Sequence, residues 1–117
     1  MISHDLAGRR ILLVEDELLV SMALESTLQD SGATVIGPLA RVKQALEAAR
    51  REQIDAAVLD INLAGEKVFP VADLLAERGI PFVFYTGYSQ DTLPLSHRSR
   101  PILSKTSTMS TLLSQVG

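Results

Sequence analysis

Cysteine and tryptophan are absent from this chain, and its only histidines, His4 and His97, sit near opposite ends. Without cysteine there is neither a disulfide nor a thiolate metal site. Two distant histidines do not suggest a zinc site either. Aromatic residues make up 4% of the chain against 46% hydrophobic residues overall, so the core must be aliphatic. No apolar run approaches the ~20 residues needed to cross a bilayer. The opening MISHDLAGRR has no apolar segment behind its charges, so no secretory leader is expected. Neither sign of charge dominates: 11 basic against 14 acidic residues give a net charge of −3, with no overall basic face for nucleic acid. A soluble cytoplasmic protein is the expectation. The 117 residues suit one domain, 1–117, with a single core and no separate output domain.

Short apolar runs alternate with helical patterns. The runs are RILLV (10–14), ATVIG (33–37), AAVLDI (56–61), PFVFYT (81–86) and PILS (101–104). Four of the five are too continuous for a half-exposed strand and fit strands covered on both faces. LLVSMALESTLQDSG, RVKQALEAARREQ and a segment containing VADLLAERG read as helices with one apolar face, with Gly32 and Gly79 where C-caps are expected. YSQDTLPLSHRSR, interrupted by Pro94, predicts a short or irregular helix, and STMSTLLSQVG a last helix of about three turns. This alternation predicts an α/β fold with a doubly wound parallel sheet.

In such a sheet a ligand site lies beyond the carboxyl ends of the strands. The first run ends at Glu15 and Asp16, the third at Asp60, the fourth at Thr86 and the fifth just before Lys105. Three acids in a row, Glu15, Asp16 and Glu17, are alone well explained as a helix start complementing the macrodipole. Asp60 is different, because an unpaired carboxylate inside an apolar run is costly. If the first and third strands are neighbours, carboxylates converge, and they stay ionised only with a cation among them. Oxygen ligands without His or Cys point to a hard ion such as Mg2+. Lys105 adds a fixed positive charge and Thr86 a hydroxyl, which together make a site for phosphoryl chemistry.

These residues resemble the receiver domain of two-component response regulators over about the whole chain. LLVEDE carries the family's acidic pair, LDINL its phosphoacceptor, TG its hydroxyl position and LSK its lysine. The resemblance implies a flavodoxin-like (βα)5 fold of strand order 2-1-3-4-5. It implies that Asp60 accepts a phosphoryl group from a histidine kinase. Mg2+ would be held by Asp16, Asp60 and the main-chain carbonyl of Asn62, with Glu15 acting through a water. Thr86 would hydrogen-bond the acyl phosphate and Lys105 would pair with it. PFVFYTGY looks like the P-F-x-F-A-T-G-[G/Y] motif of a subgroup of often stand-alone receivers that work with HWE and HisKA2 kinases. The implied partners are such a kinase or a phosphotransfer protein and an unidentified downstream protein, with no direct nucleic-acid or membrane contact. A monomer, or a dimer that forms on phosphorylation, is expected. Such a protein assists its own phosphorylation and dephosphorylation without being a turnover enzyme.

Several positions depart from the family pattern. Tyr85 replaces the motif's alanine, and its ring is expected to fill space beside Thr86. Ile102 stands where receivers carry a switching aromatic, which leaves Tyr85 or Tyr88 for that role. Thr106 follows Lys105 in place of proline, so a trans bond and a rearranged loop are expected. Leu63-Ala64 replaces Met-Pro, and the loop from there to Val71 is shortened. Other readings are a Mg2+-dependent phosphohydrolase, disfavoured by Asn62 where its general acid is needed, a receiver-shaped interaction module that is not phosphorylated, and a receiver cut from a longer regulator. A nucleotide site has little support, because no glycine-rich phosphate loop follows the first strand.

Overall fold

The computed structural model describes residues 6–86 and 102–104, with the backbone alone for Thr86 and for 102–104. In chain order the elements are strand β1 (Arg10–Val14), helix α1 (Leu18–Asp30), β2 (Thr34–Leu39), α2 (Val42–Arg51) and β3 (Ala56–Leu59). Two short strands follow, β4 (Asn62–Leu63) and β5 (Glu66–Lys67), then α3 (Phe69–Glu77), β6 (Phe82–Thr86) and β7 (Ile102–Ser104). The expected fourth and fifth helices, Tyr88, and the bond after Lys105 lie outside the described residues.

The main sheet has five parallel strands in the order β2-β1-β3-β6-β7. Counting the sheet strands alone, that is the expected 2-1-3-4-5 order of a flavodoxin-like fold. Alternation along each strand divides the core in two. Leu12, Val14, Leu59 and Phe84 face α2 and α3, whereas Ile11, Leu13, Val58 and Tyr85 face α1. Each helix buries a stripe at helical spacing: Ser21, Leu24 and Leu28 on α1; Val42, Ala45 and Ala49 on α2; Val71, Ala72 and Leu75 on α3. On α2 and α3 part of the stripe is alanine, which lets the helices sit close to the sheet. Phe84 fills the space this leaves, its ring edge-on to Phe69 at 6.2 Å and to Phe82 at 5.5 Å.

The continuous runs become the covered strands: β1 beyond Arg10, β3, and β6 through Tyr85 are buried. β2 lies at the sheet edge and is half exposed, and it runs two residues past the expected end, through Gly37 and Pro38 to Leu39. Gly37 has φ +114°, and a Cβ there would come within 2.6 Å of the Leu13 oxygen and 2.8 Å of the Leu39 nitrogen. Only glycine fits. The glycines expected to end α1 and α3 do so, Gly32 at φ +94° and Gly79 at φ +71°, each one residue past the C-cap.

Two long-range clamps tie the layers together. Leu6, fully buried, donates its N–H to the Ser31 carbonyl at 2.8 Å, which holds the segment before β1 against the end of α1. The Arg78 guanidinium, just past α3, donates to the carbonyls of Ala49 and, at 3.1 Å, Glu52 at the end of α2. The short connection expected from Leu63 to Val71 contains a β-hairpin, with Asn62 opposite Lys67 and Leu63 opposite Glu66.

Candidate functional site

β1 and β3 run side by side in register, Val14 beside Leu59, so the residues that follow them emerge at one level of the sheet. Main-chain hydrogen bonds continue past the strand ends and fix both exits. The Asp60 N–H donates to the Val14 carbonyl at 2.9 Å, and the Glu15 N–H donates to the Leu39 carbonyl at 3.0 Å. Glu15 and Asp60 are buried, at 3% and 4% exposure, while Asp16 is exposed. Carboxylate oxygens of Glu15, Asp16 and Asp60 all lie within 4.8 Å of one another.

Like charges at that separation repel by about 3–4 kcal/mol per pair at an effective dielectric near 20. A cation between them turns that repulsion into attraction. The donors are oxygens only, which suits a hard divalent ion of the Mg2+ type. Asn62, two residues beyond Asp60, brings its main-chain carbonyl to the same end of the sheet. Its side-chain Oδ1 is buried and has no hydrogen-bond partner among the described residues. An uncompensated buried acceptor two residues beyond Asp60 is a group that a hydrated cation or water could satisfy. The residues fit such an ion.

The three acids in a row divide their work. Glu15 Oε1 accepts the Glu17 N–H at 3.0 Å, closing the turn into α1. Asp16 Oδ2 accepts the Ala64 N–H at 2.9 Å, reaching across to the hairpin. Glu17 occupies the N-cap position of α1 and makes no side-chain capping bond.

β6 pairs with β3 and β7 pairs with β6, with Thr86 beside Ser104. The backbone of Thr86 therefore ends its strand on the same edge of the sheet as Asp60. The Thr86 side chain and Lys105 lie outside the described residues. Tyr85 is 2% exposed and packs in the α1-side core with Ile11 and Leu13, on the face opposite Phe84. Alternation along β6 was the signal for this.

Two features of the site were not anticipated from sequence. One is the Ala64 N–H on Asp16, whose only sequence trace is the Ala-Gly pair between two short extended stretches. The other is a group of exposed apolar residues at the start of α1: Leu18 at 72%, Leu19 at 80% and Met22 at 56% exposure. They begin two residues beyond Asp16, at the rim of the acidic cluster.

Residues 11–116 match the family model described as the response regulator receiver domain. Among curated proteins, the chain is 30% identical over 86 residues to the transcriptional regulatory protein PdtaR of Mycobacterium tuberculosis. That match covers 73% of this chain and 42% of PdtaR, so the chain spans less than half of that relative's length. Among solved structures it resembles SdrG from Sphingomonas melonis Fr1, with 43% identity, 97% of this chain and 95% of SdrG covered, and a TM-score of 0.81. A BeF3-activated conformation of SdrG matches at a TM-score of 0.75, with 93% of this chain and 96% of that one covered. The receiver domain of PhyR from Erythrobacter litoralis is 30% identical, with 94% and 88% covered and a TM-score of 0.80.

Proposed function

The chain belongs to the response regulator receiver domain family, and from that premise we propose that it accepts a phosphoryl group from a histidine kinase or phosphotransfer protein on Asp60. The observation that carries this reading is the convergence of Glu15, Asp16 and Asp60 within 4.8 Å at the ends of two adjacent strands. Mg2+ would be held by Asp16, Asp60 and the Asn62 main-chain carbonyl, with Glu15 reaching it through a water. When bound, the ion neutralises charge developing on the transferring oxygens.

The residues of the chain supply the rest. An oxygen of the Asp60 carboxylate attacks phosphorus. The new P–O bond forms as the P–N bond to the donor histidine breaks, and the departing imidazole retains its electron pair and takes a proton. The hydrogen bond to Val14 holds Asp60 at the sheet edge, so the nucleophile arrives oriented. Thr86 hydrogen-bonds the acyl phosphate and Lys105 pairs with it, as the resemblance of the TG and LSK segments implies. Phosphorylation exchanges the single charge of the Asp60 carboxylate for a phosphoryl group of roughly −1.5 to −2 with three strong acceptor oxygens, enough to reorder adjacent loops. That SdrG has a BeF3-activated conformation supports the same behaviour here.

Asp60 is 4% exposed, so a protein donor must cover the mouth of the site to reach it. Leu18, Leu19 and Met22 stand on that rim and offer an apolar landing surface. The PFVFYTGY segment favours HWE or HisKA2 kinases as donors. The output is a change in binding to a downstream protein, as a monomer or through a dimer that forms on phosphorylation, and the protein works in the cytoplasm without turnover of its own. Among the described residues no helix is long and apolar enough to cross a membrane.

The test is incubation with acetyl phosphate or beryllofluoride and Mg2+, followed by intact mass and amide chemical shifts, with Asp60→Asn alongside. The wild type gains one phosphoryl mass with acetyl phosphate and shifts around Asp60 with either reagent, and Asp60→Asn shows neither. A folded wild type that gives no Mg2+-dependent change overturns the reading. Steady release of phosphate from monoesters would replace it with the phosphohydrolase reading.

A further inference from the structure

The hairpin that follows Asp60 is tight and under local strain. Its two turn residues both have positive φ, +52° at Ala64 and +90° at Gly65, the mirror-image turn of two-residue hairpins. Glycine adopts this readily, but alanine does so at a penalty of roughly 1–2 kcal/mol. Something must hold Ala64 there. The Asp16 carboxylate does, by accepting the Ala64 N–H at 2.9 Å, and Leu63 and Val68 anchor the two strands in the core with no exposed surface.

The register of the hairpin has a second effect. Val68 donates its N–H to the Ile61 carbonyl at 2.8 Å, so 61 and 68 form a hydrogen-bonded pair. Antiparallel ladders alternate bonded and non-bonded pairs. Leu63 with Glu66 is then bonded, and Asn62 with Lys67 is a non-bonded pair. The Asn62 carbonyl is thereby directed outside the ladder. A slip of one residue would draw it into a ladder bond instead.

Resting on the Mg2+ reading above, we infer that the Ala64–Gly65 turn is a positioning element of the metal site, and that ion binding and hairpin order are coupled through Asp16. One Asp16 oxygen is held by Ala64, which fixes the carboxylate that clusters with those of Glu15 and Asp60 within 4.8 Å. The same turn sets the register that presents Asn62. By linkage, an ion that engages Asp16 and Asn62 must stabilise the hairpin by as much as the hairpin improves ion affinity. The exposed pair Glu66 and Lys67 then reports the state of the site at the surface.

The test measures Mg2+ affinity by amide-shift titration in the wild type, Ala64→Gly and Ala64→Pro. Proline removes the N–H and forbids positive φ, and loss of a supporting group around a ligand weakens binding by about 10–100-fold. Ala64→Gly keeps the N–H, relaxes the turn and binds at least as tightly as the wild type. A folded Ala64→Pro with wild-type Mg2+ affinity overturns the inference and leaves the phosphoacceptor reading standing. A wild type that binds no Mg2+ overturns both. If Ala64→Pro does not fold, hydrogen exchange decides. In metal-free protein Asp16→Ala speeds exchange of the Ala64 and Val68 amides, and Mg2+ slows both in the wild type. Exchange at these amides that ignores Asp16→Ala, or a wild type whose Ala64 exchange ignores saturating Mg2+, overturns the coupling.

Discussion

Asp60 donates its main-chain N–H to the carbonyl oxygen of Val14, and the carboxylates of Asp60 and of Glu15, the residue after Val14, lie within 4.8 Å of each other. The strand pairing that builds the sheet therefore also forces two buried acids together. Removing either partner of such an arrangement has different consequences for folding and for ion binding, and the two are separable by experiment.

Mg2+ should stabilise the wild type toward urea by about 2.7 kcal/mol at a concentration near 100 times its Kd. Asp16→Asn weakens binding by well over tenfold, so at the same concentration its gain is about 1.4 kcal/mol or less. Equal gains for both proteins remove Asp16 from the site.

A charged residue at the rim should separate two routes of phosphorylation. Leu19→Glu slows transfer from a phosphorylated kinase or phosphotransfer protein by about tenfold or more, because it buries an unpaired charge in the contact. Phosphorylation by acetyl phosphate, which needs no protein contact, keeps its rate. Equal slowing of both would show that the helix start supports the site and not the partner.

Gly37 and Gly79 should respond differently to alanine. At Gly37 the new Cβ meets backbone atoms at 2.6 and 2.8 Å, and Gly37→Ala destabilises by about 3 kcal/mol or more in urea unfolding. At Gly79 nothing lies within 4 Å, so only the positive φ of +71° is penalised, by about 1 kcal/mol. Equal losses would mean that β2 can shift to admit a side chain.

Arg78→Ala should destabilise by about 1 kcal/mol, because two carbonyls at the end of α2 lose their donor to solvent. Both bonds come from the one Nη1 nitrogen, so Arg78→Lys recovers part of this to the extent that its ammonium can reach the same two carbonyls. An unchanged urea midpoint in Arg78→Ala would show that water replaces the guanidinium fully.

The sheet and its acidic edge were legible because both follow from short-range pattern. Covered parallel strands read as unbroken apolar runs, and a carboxylate closing such a run, as Asp60 does, has no ordinary structural reason to be there. The hairpin was not legible, because its turn has Ala64 where Asn or Asp would signal a positive φ. The contact with Asp16, 48 residues away in sequence, together with the buried anchors Leu63 and Val68, accounts for an alanine there. The Arg78 clamp and the burial of Leu6 join segments far apart in sequence and leave no local pattern at all.

The path of β2 has a bearing on how copies of this chain can meet. A half-exposed edge strand is a template on which another strand can add, and sheets commonly grow into fibres that way. Here the edge is interrupted at Gly37, whose backbone turns through a positive φ, and at Pro38, which has no N–H to give. An incoming strand would lose its ladder midway along. Self-association across this edge is thus discouraged by the backbone itself, whatever side chains it carries.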